Sequence, residues 1–170
     1  MKIEVTSPFP FEALPRVWRW IETFREKVSD DFSPRDLKSF LESMARRWDR
    51  QKTWAVRAGD ELGGLVIFER RTEWLGTARY VFKPDFQGKG LAVKACRAAV
   101  AQMLAEPGIG KLEFHALAGN LAIGSLVCSL GAKREGTLEG HTLCGGKPTD
   151  VWLYGLRKEA FEETTHGISV

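Results

Sequence analysis

Among its residues, the run Tyr80-Val81-Phe82-Lys83-Pro84-Asp85-Phe86-Gln87-Gly88-Lys89-Gly90-Leu91-Ala92 has the types and spacing best suited to chemistry. An apolar, strand-like segment enters a turn holding two glycines, and the turn opens straight into a helical pattern. The first amides of a helix lack internal partners, and the helix dipole places partial positive charge there. Glycine at 88 and 90, with alanine at 92, removes the bulk that would hold a phosphate away. A pyrophosphate could rest on the amides of Gln87, Gly88, Lys89, Gly90, Leu91 and Ala92. The same pattern also serves a plain strand-to-helix turn that needs glycine only for its shape.

Two phosphate motifs compete for this loop. A Walker A loop requires Ser or Thr after its lysine, and Gly90 follows Lys89. The dinucleotide fingerprint fits Gly88 and Gly90 but meets Val93 at its third position, with Glu113 at a tolerable distance for the ribose-binding acid. The run before the loop reads as an antiparallel meander, which leaves little chain for two nucleotide-binding halves. Cys96, Cys128 and Cys144 show no metal or redox spacing, and His115, His141 and His166 show no zinc spacing, so no metal is expected.

The elements that must position the loop can be read around it. Ile3 and Val5 allow a first strand, stopped by Pro8 and Pro10. Residues 11–28 carry Leu14, Val17, Trp18, Ile21 and Phe24 at helical spacing. Ser33-Pro34 reads as a second helix opening, with Ser as cap. Leu37, Phe40, Leu41, Met44 and Trp48 form that helix's stripe. Residues 53–57, 62–69 and 75–82 read as a three-strand antiparallel meander. A helix over 88–105 follows, its stripe built mainly of alanine, so it can approach a sheet closely. A strand over 111–117 comes next, then a helix over 120–130 closed by Gly131. Two strands, 133–141 and 149–156, are joined by Cys144-Gly145-Gly146-Lys147-Pro148. The expected fold class is α+β (mixed α/β), with a mixed, mostly antiparallel sheet flanked by helices.

The chain has 170 residues, with 25 Lys+Arg against 22 Asp+Glu and a net charge of +3. That length and ordinary globular composition predict one domain, 1–170. Residues 1–52 hold the first strand and two helices, 53–157 the core around the loop, and 158–170 a polar, frayed tail. No stretch approaches the roughly 20 apolar residues needed to span a bilayer. No apolar signal core follows Met1-Lys2-Ile3-Glu4, and a cytoplasmic location is expected. A net +3 is too weak to imply nucleic acid. Nothing in the sequence specifies an oligomeric state.

The stretch Gln87-Gly88-Lys89-Gly90-Leu91-Ala92 resembles the Gln/Arg-x-x-Gly-x-Gly/Ala motif of the GNAT superfamily of N-acetyltransferases. Asn120-Leu121-Ala122-Ile123-Gly124-Ser125-Leu126-Val127-Cys128-Ser129-Leu130-Gly131-Ala132 is similar to that family's Asn-rooted helix. Lys133-Arg134-Glu135-Gly136-Thr137-Leu138 and Asp150-Val151-Trp152-Leu153-Tyr154-Gly155-Leu156 resemble its RimJ/RimL-like branch. Together these cover roughly residues 54–156.

The resemblance implies acetyl-CoA as co-substrate, in a V-shaped opening between the strand before the loop and the next one. The main chain of Val81 and Phe82 would hold the pantetheine arm, and the amides from Gln87 to Ala92 the pyrophosphate. Asn120 would bond the pantetheine or order the helix start, unless it is a helix cap alone. The activity implied is acetyl transfer to a primary amine, on a peptide N-terminus or a small molecule. The alternative is an acetyl-CoA-binding module with little or no catalysis, because family positions for the base and acid hold Thr77, Ile123 and Val127. Glu73 is the candidate catalytic base, sharing strand parity with Thr77 although about 13 Å along a regular strand. Glu69, His141 and a water are further candidates, and Arg79 could instead hold an anionic acceptor.

Overall fold

The computed structural model describes residues 2–87 and 90–166. Its twelve main elements are β1 (Ile3–Thr6), α1 (Leu14–Glu22), α2 (Leu37–Arg47), β2 (Gln51–Ala58), β3 (Glu61–Arg70), β4 (Leu75–Phe82), α3 (Leu91–Leu104), β5 (Lys111–Leu117), α4 (Leu121–Cys128), β6 (Lys133–Cys144), β7 (Lys147–Arg157) and α5 (Lys158–His166). The seven strands form one sheet in the order β1-β2-β3-β4-β5-β7-β6. Only β4 and β5 are parallel, joined by the α3 crossover.

Both faces of the sheet are covered, which is why β3 is a nearly continuous buried run. Strand alternation sends Leu65, Ile67 and Val81 to a core shared with Leu14, Val17 and Ile21 of α1 and Phe40 and Met44 of α2. Val66, Phe68, Ala78 and Phe82 face the opposite core, shared with α3, α4 and α5. Ala95 and Ala99 are fully buried there, so the alanine stripe does seat α3 close to the sheet.

Several boundaries differ from the sequence expectation. The first helix ends at Glu22, because Phe24 leaves helical geometry (φ −139°, ψ 39°) before a single tight turn. The second begins after Asp36, not at Ser33-Pro34. The Asp36 carboxylate accepts from the Ser39 amide at 2.8 Å, and a negative cap also suits the dipole. Strands β6 and β7 run on to a two-residue turn at Gly145 and Gly146, both at positive φ (63° and 73°), as tight hairpins require.

The frayed tail is the main correction. Residues 158–166 form α5, and Phe161 is buried in the α3-side core. Arg97 donates to Thr164 Oγ1 at 3.1 Å and to the Ser129 carbonyl at 2.9 Å, tying α3 to α5 and α4. One aromatic in a polar stretch was too weak a periodic signal to announce this helix.

Candidate active site

The site begins where a sheet ladder stops. Strands β4 and β5 pair only through Leu75–Lys111, Gly76–Leu112 and Thr77–Glu113. Beyond Thr77, β4 continues to Phe82 beside β3, while β5 continues to Leu117 beside β7. Each strand follows its other neighbour, so the two diverge and leave a wedge. A cleft of about 390 Å³ occupies it, lined by Tyr80, Phe82 and Ala92 toward α3 and by Arg79, His115 and His141 on the other side.

The open edge of β4 has a defined set of free groups. The Lys83 amide donates to the Gly63 carbonyl at 3.0 Å, which fixes the phase of the β3–β4 ladder. Alternation then turns the main-chain groups of Val81 toward β3 and those of Tyr80 and Phe82 toward the wedge. Val81 therefore contributes a side chain to the cleft, and Tyr80 takes the place expected for its main chain. The Phe82 carbonyl is already held by Gln87 Nε2 at 3.3 Å, and the Gln87 amide donates to Pro84 at 3.0 Å. Gln87 braces the turn and has no main-chain N–H to offer a phosphate.

Gly90 caps α3 at φ 70°, a left-handed conformation that strains any side-chain-bearing residue. No side chain caps this helix, and the amides of Leu91 and Ala92 have no acceptor among the described residues. Gly88 and Lys89, also expected at the pyrophosphate, lie outside the described residues. Phe86 anchors the turn from below: its ring fills the space where a Cβ on Gly63 would sit, 2.0 Å away. Asn120 is the N-cap of α4, its Oδ1 accepting from Ile123 at 3.4 Å, and it also lines the cleft. Its side-chain nitrogen carries no hydrogen bond among the described residues.

Glu73 does not belong to this cleft. It sits in the exposed β3–β4 turn, outside the strand, and its carbonyl accepts from Arg70 at 3.0 Å. The regular-strand parity assumed for it fails because β4 starts only at Leu75. Thr77 is buried and its hydroxyl donates to the Glu69 carbonyl at 3.5 Å, a structural brace. Glu69 is paired with Arg71 at 3.2 Å. On α4, Ile123 lines the cleft and Val127 is fully buried, so neither family position carries a hydroxyl.

His141, a candidate from the sequence, lines the cleft, and so does His115, which sequence spacing missed. It projects from β5, its ring 6.0 Å from that of His141 and its side chain 34% exposed. Burial, then Arg79, His141 and Arg71, push its pKa below the ordinary 6.5, against the raising effect of Glu113. A neutral imidazole at neutral pH can accept a proton. His141 reaches it from an irregularity in β6, where residues 139–141 oppose Asp150 alone. The Gly140 amide donates to Asp150 Oδ1 at 2.8 Å, fixing that bulge.

Tyr80 was also missed, because its neighbours read simply as a strand. Its hydroxyl is buried without a hydrogen-bond partner, and burial pushes its pKa well above 10. Tyr80 lines the cleft, but its hydroxyl is closed off toward Cys96 and Tyr154 and stays protonated.

The family described as Acetyltransferase (GNAT) domain matches residues 7–133. The chain belongs to the GNAT acetyltransferase family. Acetyl-CoA is the co-substrate of this family, and the wedge and the α3 start suit a ligand of that shape and polarity.

Solved GNAT structures share the fold over nearly the whole chain. The spermidine N-acetyltransferase from Vibrio cholerae in complex with CoA and spermine has 16% identity and a TM-score of 0.77, covering 94% of this chain and 98% of that one. RimJ from Mycobacterium smegmatis in complex with CoA-disulfide has 12% identity and a TM-score of 0.78, covering 97% and 88%. Among the described residues of this GNAT chain, no helix is long and apolar enough to cross a membrane.

Proposed function

We propose that the protein transfers the acetyl group of acetyl-CoA to a primary amine, with His115 taking the amine proton and a water returning one to the sulfur. The carrying observation is the early end of the β4–β5 ladder, which exposes unpaired main chain beside an uncapped helix start. Pantetheine would lie in the wedge as a short added strand against Tyr80 and Phe82. The pyrophosphate would rest on the α3 amides from Gly90 to Ala92.

The chemistry follows from the two sides of the wedge. His115 removes a proton from the ammonium, directly or through a water, and the freed lone pair attacks the thioester carbon. Negative charge then develops on the carbonyl oxygen, where the outward main-chain N–H of Tyr80 is the nearest preorganised donor. As the carbon–sulfur bond breaks, the thiolate takes a proton from a water in the open cleft, because the Tyr80 hydroxyl is closed off and burial makes it a poor acid. No hydroxyl on α4 competes for that role at Ile123 or Val127.

Thermal unfolding with and without acetyl-CoA, followed by a CoA-release assay with amines, tests this reading. A ligand at 100 times its Kd adds about 2.7 kcal/mol, a clear rise in Tm. A shift accompanied by amine-dependent CoA release supports the reading. No shift at millimolar ligand overturns it, and a shift without release marks a binding module instead.

A further inference from the structure

The acceptor side of the cleft is unusual in its charge. Arg79 projects from β4 into the cleft with its guanidinium against the Phe32 ring, 5.9 Å from the centroid. Among the described residues, no hydrogen bond or ion pair reaches that guanidinium. A half-buried arginine offers five N–H donors in a fixed fork, and leaving them unmet inside a protein is costly.

The neighbouring carboxylates do not supply the acceptor. Asp31 lines the same cleft but is hydrogen-bonded by the Thr142 hydroxyl and makes no ion pair with Arg79. Glu69 is engaged by Arg71. Lys27 and Arg47 also line the cleft, which gives three cations against the single carboxylate of Asp31. The Arg47 guanidinium donates to the Ser43 carbonyl and hydroxyl, at 3.3 and 2.9 Å, so it contributes field more than an open fork. Arg47 and Arg71 act on Arg79 as like charges, and Glu69 and Asp31 offset them only at a distance, without a hydrogen bond or ion pair to its guanidinium among the described residues.

We infer that the acceptor is a primary amine whose own molecule carries a carboxylate, and that Arg79 binds this carboxylate while the amine faces His115. This deepens the acetyltransferase reading and rests on it. A planar carboxylate matches the guanidinium fork in a bidentate pair, and the cationic wall favours its approach. A polyamine, the ligand named for the Vibrio cholerae structure, would meet like charge on this wall. The carboxylate can come from a small amino acid or from an acidic residue beside a peptide N-terminus.

The test measures kcat/KM by CoA release from acetyl-CoA, using γ-aminobutyrate and its neutral amide, Ala-Asp-amide and Ala-Asn-amide, and spermidine. The expected result is an advantage of about 10- to 100-fold for a carboxylate-bearing amine over its neutral partner. Which pair shows it separates the small-molecule from the peptide source. Arg79→Gln should erase that advantage through KM while the acetyl-CoA-induced rise in Tm persists. Should Arg79→Gln fail to fold, the wild-type ratios decide alone. Turnover of spermidine and neutral amines without preference for the carboxylate overturns this inference and leaves acetyl transfer standing. Absence of both the thermal shift and CoA release from every amine overturns the two together.

Discussion

In the proposed reaction His115 takes the proton that decides whether the amine can attack, and its surroundings set the pH at which it can act. Burial and the cations Arg79 and Arg71, with His141, lower its pKa, while Glu113, 3.9 Å away, raises it. The kcat/KM profile should therefore be flat through neutrality and fall only as pH drops below 6.5. His115→Gln should lower kcat by about 10²-fold, the low end for a general base, with the acetyl-CoA thermal shift kept. Glu113→Gln removes the raising influence, so the acid limb should move to lower pH. Tyr80→Phe separates catalysis from packing. A buried hydroxyl without a partner among the described residues gives no net stability, so Tm should hold or rise slightly and kcat should stay unchanged. A fall in kcat in Tyr80→Phe would assign the thiolate's proton to that hydroxyl.

At the scale of elements, the turn before α3 depends on a contact made far from it in sequence. The extra residue Gly63 bulges β3 opposite β2 and leaves room for Phe86 beneath the turn. Gly63→Ala should push that ring out, destabilising the fold by about 1–3 kcal/mol as overpacking does. It should also weaken acetyl-CoA binding by calorimetry, because Phe86 leads directly into the loop before α3. The acceptor wall has its own clasp. The Asp30 carboxylate accepts from the Gly145 and Gly146 amides at 3.3 and 2.8 Å, while the Asp30 amide donates to Leu143 at 2.8 Å. The Gly146 amide chiefly holds the Asp30 carboxyl below 3.8. With its pKa depressed, this clasp is complete above 3.8 and loosens only as pH falls through the lower folded value. Asp30→Ala should raise KM for the amine and leave the acetyl-CoA-induced Tm shift in place.

For the molecule as a whole, α5 closes the core that α3 and α4 build on the sheet. Phe161 packs there and also lies 5.7 Å from the Arg97 guanidinium. Phe161→Ala should cost about 3–5 kcal/mol, read as a lowered Tm and denaturant midpoint. The order of the elements up to β7 was legible in the sequence, because period-two and period-3.6 apolar patterns report local geometry directly. The glycine pair, the alanine stripe of α3 and the Asn120 cap were legible for the same reason: each is a short-range demand of the backbone. The V-shaped opening was expected from the family resemblance alone, and three details of the site were decided by the tertiary structure. The wedge exists because β4 and β5 each follow a different neighbour after Thr77, and no local residue pattern encodes where a ladder ends. His115 and His141 meet only because β5 and β6 flank β7 and a bulge brings the second ring across. Arg79 stood out in the sequence as a residue that could hold an anionic acceptor, but that its guanidinium meets no hydrogen bond or ion pair among the described residues shows only once the surrounding elements are in place.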